Sequence, residues 1–268
     1  MTNYIARYGL EFNPFLKTAK QIFLETGESK EVQERLGTLG ETKGIGILTG
    51  EPGNGKTTAS KAWSDSLSPS LFKVAYSSLS TLTVMDFYRQ IASRLGIEPR
   101  FHKNDIFNDI QDEIHRLALE KRIIPVIIID EADQLSHKVL HDLQVMFNFD
   151  MDSRDLAILL LIGQPRLNNT LNQNMHESLR QRIIMNYHMG GLTKEESRIY
   201  IDKKLEKAGC HQTVFDANAK EAVINAANGI PRMINKICNR SLVIGASAGN
   251  QVINAEIVMK AVDDCILG

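Results

Sequence analysis

The feature that most restricts this chain is an apolar run that stops at a glycine-rich loop and gives way to a helix. Gly44-Ile45-Gly46-Ile47-Leu48-Thr49-Gly50 reads as a short buried strand, and residues 56–67 continue as a helix around Ala59, Ala62 and Trp63. Between them lies Gly50-Glu51-Pro52-Gly53-Asn54-Gly55-Lys56-Thr57, a G-x-x-x-x-G-K-T spacing followed by Thr58. Backbone N–H groups of such a loop, together with the helix N-terminus, wrap phosphates. The lysine reaches the β and γ oxygens, and the hydroxyl after it ligates magnesium. A chance glycine turn ending in a solvated lysine is the alternative, and the flanking strand and helix weigh against it.

Similar apolar runs occur at 71–76, 123–129 and 156–162, with a weaker one at 183–188. Helical patterns at 84–95, 106–119, 139–147 and 167–182 separate them. Continuously apolar strands alternating with helices predict an α/β domain with a parallel five-stranded sheet flanked by helices. After Leu192 the strand signal ends. Thr193-Lys194-Glu195-Glu196 has capping-box spacing and opens a helix to about Ala208, followed by helices at 217–227, 231–246 and, behind Asn254 as N-cap, 255–266. The expected division is 1–43, an N-terminal segment; 44–192, the α/β domain; and 193–268, a small all-helical domain.

With 268 residues, 43% of them hydrophobic, the chain can bury a large core. Its longest apolar run falls well short of the roughly 20 residues needed to span a bilayer, so no membrane association and a cytoplasmic location are expected. Cys210, Cys238 and Cys265 are odd in number and far apart, which excludes a disulfide framework and predicts reduced thiols. The net charge of −1 excludes a globally basic nucleic-acid binder, leaving only local patches.

Asp130-Glu131 closes the most apolar strand, at the end where open α/β sheets bind ligands. Asp130 is the candidate magnesium holder and Glu131 the group that polarises an attacking water. The four letters Asp130-Glu131-Ala132-Asp133 also spell a helicase motif, but a small helical domain follows here rather than a second recombinase-like domain. Gln164, after Ile162-Gly163, would hold the attacking water, or the segment is a simple strand-ending turn. Arg180 and Arg182 either reach a neighbouring subunit's phosphates or are solvated helix residues. Arg232, just behind Pro231, either reaches back to the nucleotide or provides helix-end polarity. His137 and His141 share a helix face and read as surface or cap chemistry, while Lys203, Lys204 and Lys207 read as a solvated face balanced by acids.

Taken in order, the P-loop, Asp130-Glu131, Gln164, Arg182 and Arg232 resemble an AAA+ ATPase with the helical domain as its lid. More closely, the chain resembles the ExeA/GspA-type ATPases and the TniB, TnsC and MuB transposition ATPases. The resemblance rests on Tyr8-Gly9-Leu10-Glu11-Phe12-Asn13-Pro14-Phe15, Leu48 to Thr57, Ile128 to Ala132, Ile162 to Pro165, Leu179 to Ile183 and Gly229 to Asn235. It implies ATP and Mg2+ as cofactors, Phe15 near the adenine, and ATP hydrolysis between subunits of a homo-oligomeric ring or helical filament. Arg180 or Arg182 would then act in trans. Secretion ATPases of this kind continue into a membrane helix and a cell-wall-binding domain, whereas this chain ends just after the lid. The expectation is therefore an ATPase that oligomerises on double-stranded target DNA and recruits or activates a transposase. Secretion-complex assembly and a helicase-loader or initiator-like role are the competing expectations. Candidate DNA contacts are Arg100 and Lys103 on one loop and Ser77 and Thr81 on another.

Overall fold

The computed structural model describes residues 4–16, 26–78, 83–149 and 154–266. These residues form two compact units. The first comprises 30–52 and 56–189, and the second takes in the remaining described residues, including 53–55 and 190–266.

The first unit is built on five strands: β1 (Gly44–Gly50), β2 (Phe72–Ser78), β3 (Ile124–Asp130), β4 (Ile158–Gly163) and β5 (Ile183–Met189). Their order is β2-β3-β4-β1-β5, and every neighbouring pair is parallel. Successive side chains of a strand point to opposite faces, so a strand buried on both must be apolar throughout. In β1, Ile45 and Ile47 enter a core with Ile127, Ile129, Leu159 and Leu161, closed by Phe87, Ile91, Ile110 and Leu143 from covering helices. Leu48 enters the opposite core with Ile128, Leu160 and Ile162, where Leu36 and Leu39 of the helix Gly27–Thr42 and Trp63 of the helix Lys56–Ser66 pack.

One predicted element is broken. Residues 167–182 form not one helix but Arg166–Leu171, a 3-10 turn Asn174–His176 and Glu177–Arg180. Gln173 between them is extended, at φ −68° and ψ 144°. Asn172 and Asn174 flank it, and asparagine side chains compete with the backbone for helical hydrogen bonds. The break brings His176 into the interior, 1% exposed, with its Nε2 2.8 Å from His137 Nδ1. His137 therefore has a buried partner as well as a solvent face, and burial lowers the His176 pKa, with His137 and His141 adding to the effect.

The second unit is helical: Lys194–Lys207, Ala217–Ala227, Pro231–Ser247 and Ala255–Ile266. The capping box forms as its spacing predicts. Glu196 N–H donates to Thr193 Oγ1 at 3.2 Å, and Thr193 N–H donates to Glu196 Oε2 at 2.9 Å. Asn254 Oδ1 accepts from Ile257 N–H at 3.1 Å, the cap expected there. The N-terminal residues Tyr8, Leu10 and Phe15 are core members of this unit, beside Phe215, Ile201 and Leu242. Lys204 departs from the solvated face expected of it. It is 7% exposed, donating from Nζ to the Pro14 carbonyl at 2.7 Å and lying over the Phe15 and Tyr200 rings. All three cysteines are free and buried. Among the described residues, no helix is long and apolar enough to cross a membrane.

Candidate functional site

The strand order sets the site. The C-terminal ends of β3, β4 and β1 lie side by side, with Ile129 opposite Leu161 and Gly163 opposite Thr49. Gln164, one residue past β4, therefore falls between the loop that follows β1 and the acidic pair that ends β3. Carboxyl ends of parallel strands are where such sheets bind ligands.

The loop after β1 departs where a side chain would not fit. A Cβ on Gly50 would lie 2.5 Å from the Met189 carbonyl oxygen of β5. Gly55, just before the helix, has φ +99°, a conformation that favours glycine. Lys56 opens the helix Lys56–Ser66 and is only 9% exposed, and its ammonium donates to the Gly50 carbonyl at 2.8 Å and the Glu51 carbonyl at 2.9 Å. The cation is thus held within the loop, while Thr57 is exposed and Thr58 half-buried in the same first turn.

Thr57 Oγ1 donates to Asp130 Oδ2 at 2.6 Å, joining the loop-borne helix to the end of β3. Tyr76 OH on β2 donates to the same oxygen at 3.0 Å, and Asp130 Oδ1 accepts the Glu131 N–H at 2.9 Å. Burial, then the Asp130 charge, pushes the Tyr76 phenol up to about 12, so it remains a donor throughout the neutral range. Asp130 is 8% exposed, whereas Glu131 is exposed and left-handed at φ 57° and ψ 32°. That conformation is uncommon for a residue with a side chain and recurs at functional sites. A hydroxyl and a carboxylate at this separation are hard oxygen donors, the set that suits Mg2+ when phosphate oxygens and water complete its shell. The residues present therefore fit a metal–nucleotide complex.

Other predicted residues are placed as follows. Arg180 is exposed and donates to the Asn172 carbonyl at 3.1 Å, and Arg182 is half-buried just before β5. Phe15 packs in the helical core at 4% exposure, edge-on to Phe215. Arg232 lies in the first turn of Pro231–Ser247, its N–H 3.4 Å from the Gly53 carbonyl within the same compact unit. The proposed DNA contacts fare less well. Ser77 is 2% exposed with its hydroxyl donating to Gln90, so it presents nothing to a phosphate and that expectation is corrected. Arg100 and Lys103 are paired with Asp109 and Asp142, and Thr81 lies outside the described residues. The reading from sequence missed Tyr76, whose only signal was a polar tip on an apolar strand, and Asp133, a buried carboxylate two residues past Glu131.

Residues 39–171 match the family model described as an AAA domain. The chain is 31% identical over 264 residues to general secretion pathway protein A of Aeromonas hydrophila, a match covering 96% of this chain and 48% of that protein. The chain thus spans about half the length of that relative. Among solved structures, the fold is shared with the Aeropyrum pernix ORC2 protein in ADPNP–ADP complexes, at TM-score 0.69 and 17% identity, covering 94% of this chain and 71% of that one. It is also shared with the Aeropyrum pernix ORC1 protein in complex with DNA, at TM-score 0.69 and 19% identity, covering 94% and 68%.

Proposed function

We propose that the chain hydrolyses ATP as a switch controlling an assembly, a reading supported by the match of residues 39–171 to an AAA domain and by the likeness to general secretion pathway protein A. The observation that carries the proposal is the 2.6 Å bond between Thr57 and Asp130, which brings a hydroxyl at the start of the loop-borne helix against a carboxylate at the end of β3.

In this reading the loop amides and Lys56 bind the β and γ phosphates, and Thr57 with Asp130 holds Mg2+. The metal, when bound, neutralises phosphate charge and withdraws electrons from the γ-phosphorus. Tyr76 keeps the Asp130 carboxylate turned toward Thr57. Glu131 accepts the proton of a water that attacks the γ-phosphorus, Gln164 orients that water, and the bond to the β-phosphate oxygen breaks to leave ADP and phosphate. Arg182 or Arg180 of a neighbouring copy neutralises charge as it develops. The test is phosphate release by wild type and Asp130→Ala at saturating ATP and varied Mg2+. Loss of turnover that excess Mg2+ does not restore is expected, and wild-type turnover in the variant would remove the metal-holding role.

The finer role we infer is ATP-dependent assembly on duplex DNA with a transposase as client. The motif resemblance to TniB, TnsC and MuB supports it, as does the fold shared with a protein solved with DNA. A second reading, assembly of a secretion complex, is favoured by the 31% identity to general secretion pathway protein A. Duplex binding measured by fluorescence anisotropy with and without ATP separates them. ATP-dependent binding that weakens steeply with salt supports the first, and none at low salt supports the second.

A further inference from the structure

We propose that Asp133 is a positioning residue for hydrolysis, tying the turn that carries Glu131 to the strand end that carries Gln164. The inference rests on the hydrolytic reading above and names a residue which that reading did not use.

The Asp133 side chain is 2% exposed. Carboxylates are rarely buried this far unless paired and hydrogen-bonded. Its Oδ1 accepts the Gln164 N–H at 2.9 Å, and its Oδ2 accepts Arg166 Nε at 2.5 Å. Arg166 is 55% exposed, so its ion pair sits at the rim and is screened. The bond to Gln164 is the sheltered one.

A second observation points the same way. A Cβ on Gly163 would lie 2.9 Å from Asp133 Oδ1 and 3.0 Å from its backbone nitrogen. The end of β4 thus has room for this carboxylate only because residue 163 is glycine. Asp133 itself stands in the 3-10 turn Ala132–Gln134, which begins at the left-handed Glu131.

The two groups that act on the water are therefore joined through one side chain, by two residues of turn on one side and one hydrogen bond on the other. Without the bond, the Gln164 backbone is free to drift relative to Glu131. Misplacement of a positioning group by about 1 Å can cost on the order of a hundredfold in rate.

A carboxylate that merely caps the following helix would stabilise the fold without touching turnover, and kinetics on the full chain separate the two. In Asp133→Ala the turnover number is expected to fall on the order of tenfold to a hundredfold, with ATP affinity within about twofold of wild type. Asp133→Asn keeps the Oδ1 acceptor and should restore most of the rate. Because Asp133 acts through Gln164, adding Asp133→Ala to Gln164→Ala should cost no more than Gln164→Ala alone. Losses that multiply, an asparagine variant as slow as alanine, or affinity falling in step with rate would overturn the role. If the alanine variant does not fold, Asp133→Ser, whose shorter side chain cannot reach Gln164, carries the same cycle. A wild type without turnover removes the hydrolytic reading and this one with it. An active wild type with multiplying losses removes only this one.

Discussion

Lys56 shows how a residue can be poised before it meets a ligand. Its ammonium already rests on two carbonyls of its own loop, so its cost of burial is offset in advance. Lys56→Ala is expected to weaken ATP binding by about a hundredfold, the order of a lost charge-assisted pair; a fluorescent-nucleotide titration showing unchanged affinity would contradict this. Lys204 makes the opposite use of a buried amine. Burial pushes it down to about 8. Its folded value lies below its unfolded one, so its contribution to stability is complete above about 10.5 and is lost as pH falls through about 8. The unfolding free energy of wild type relative to Lys204→Met, read from urea titrations, should therefore rise between pH 8 and 10 by up to about 3 kcal/mol, and parallel profiles would refute the assignment. Lys56, Thr57 and Asp130 were legible in the sequence because their chemistry is encoded in local spacing. Tyr76, Asp133 and Lys204 were not, because each finds its partner on another element: Asp130 on a neighbouring strand, Gln164 past β4, and Pro14 near the N-terminus.

At the scale of elements, the central strands β1, β3 and β4 were readable as unbroken apolar runs because both of their faces are covered, while the edge strands β2 and β5 carry polar residues and gave a weaker signal. Their order was not readable, since β1 inserts between β4 and β5 through contacts no single strand records. That insertion is what sets Gln164 between the P-loop and Asp130, and it makes Gly50 a point of contact between β1 and β5. Gly50→Ala forces a methyl against the Met189 carbonyl, and backbone cannot yield as a side chain tip does. A loss of about 1–3 kcal/mol in denaturant unfolding is expected, and unchanged stability would show that the strands separate easily. The helix caps at Thr193, with Glu196, and at Asn254 were legible because each capping partner is local. Thr193→Ala should cost about 1 kcal/mol, read from the same unfolding curves. The interruption at Gln173 was hidden because Leu167, Leu171 and Leu179, spaced by four and eight residues, keep a helical spacing across it.

For the whole molecule, the described residues form two compact units, and those among the first 43 divide between them: 4–16 and 26–29 join the helical unit and 30–43 join the sheet. Shared-site hydrolysis predicts turnover per chain that rises with protein concentration. Arg182→Ala should keep ATP binding while losing that rise, and a variant with normal concentration dependence would pass the role to Arg180 or end it. In the proposed hydrolysis, Glu131 activates water beside a nucleotide held by Lys56, Thr57 and Asp130. Glu131→Gln keeps the shape of that residue and removes the base. Phosphate release measured alongside ATP affinity should show binding within about threefold of wild type and turnover lower by a hundredfold or more, on the order of a lost general base. Wild-type turnover in Glu131→Gln would show that this carboxylate is not the base.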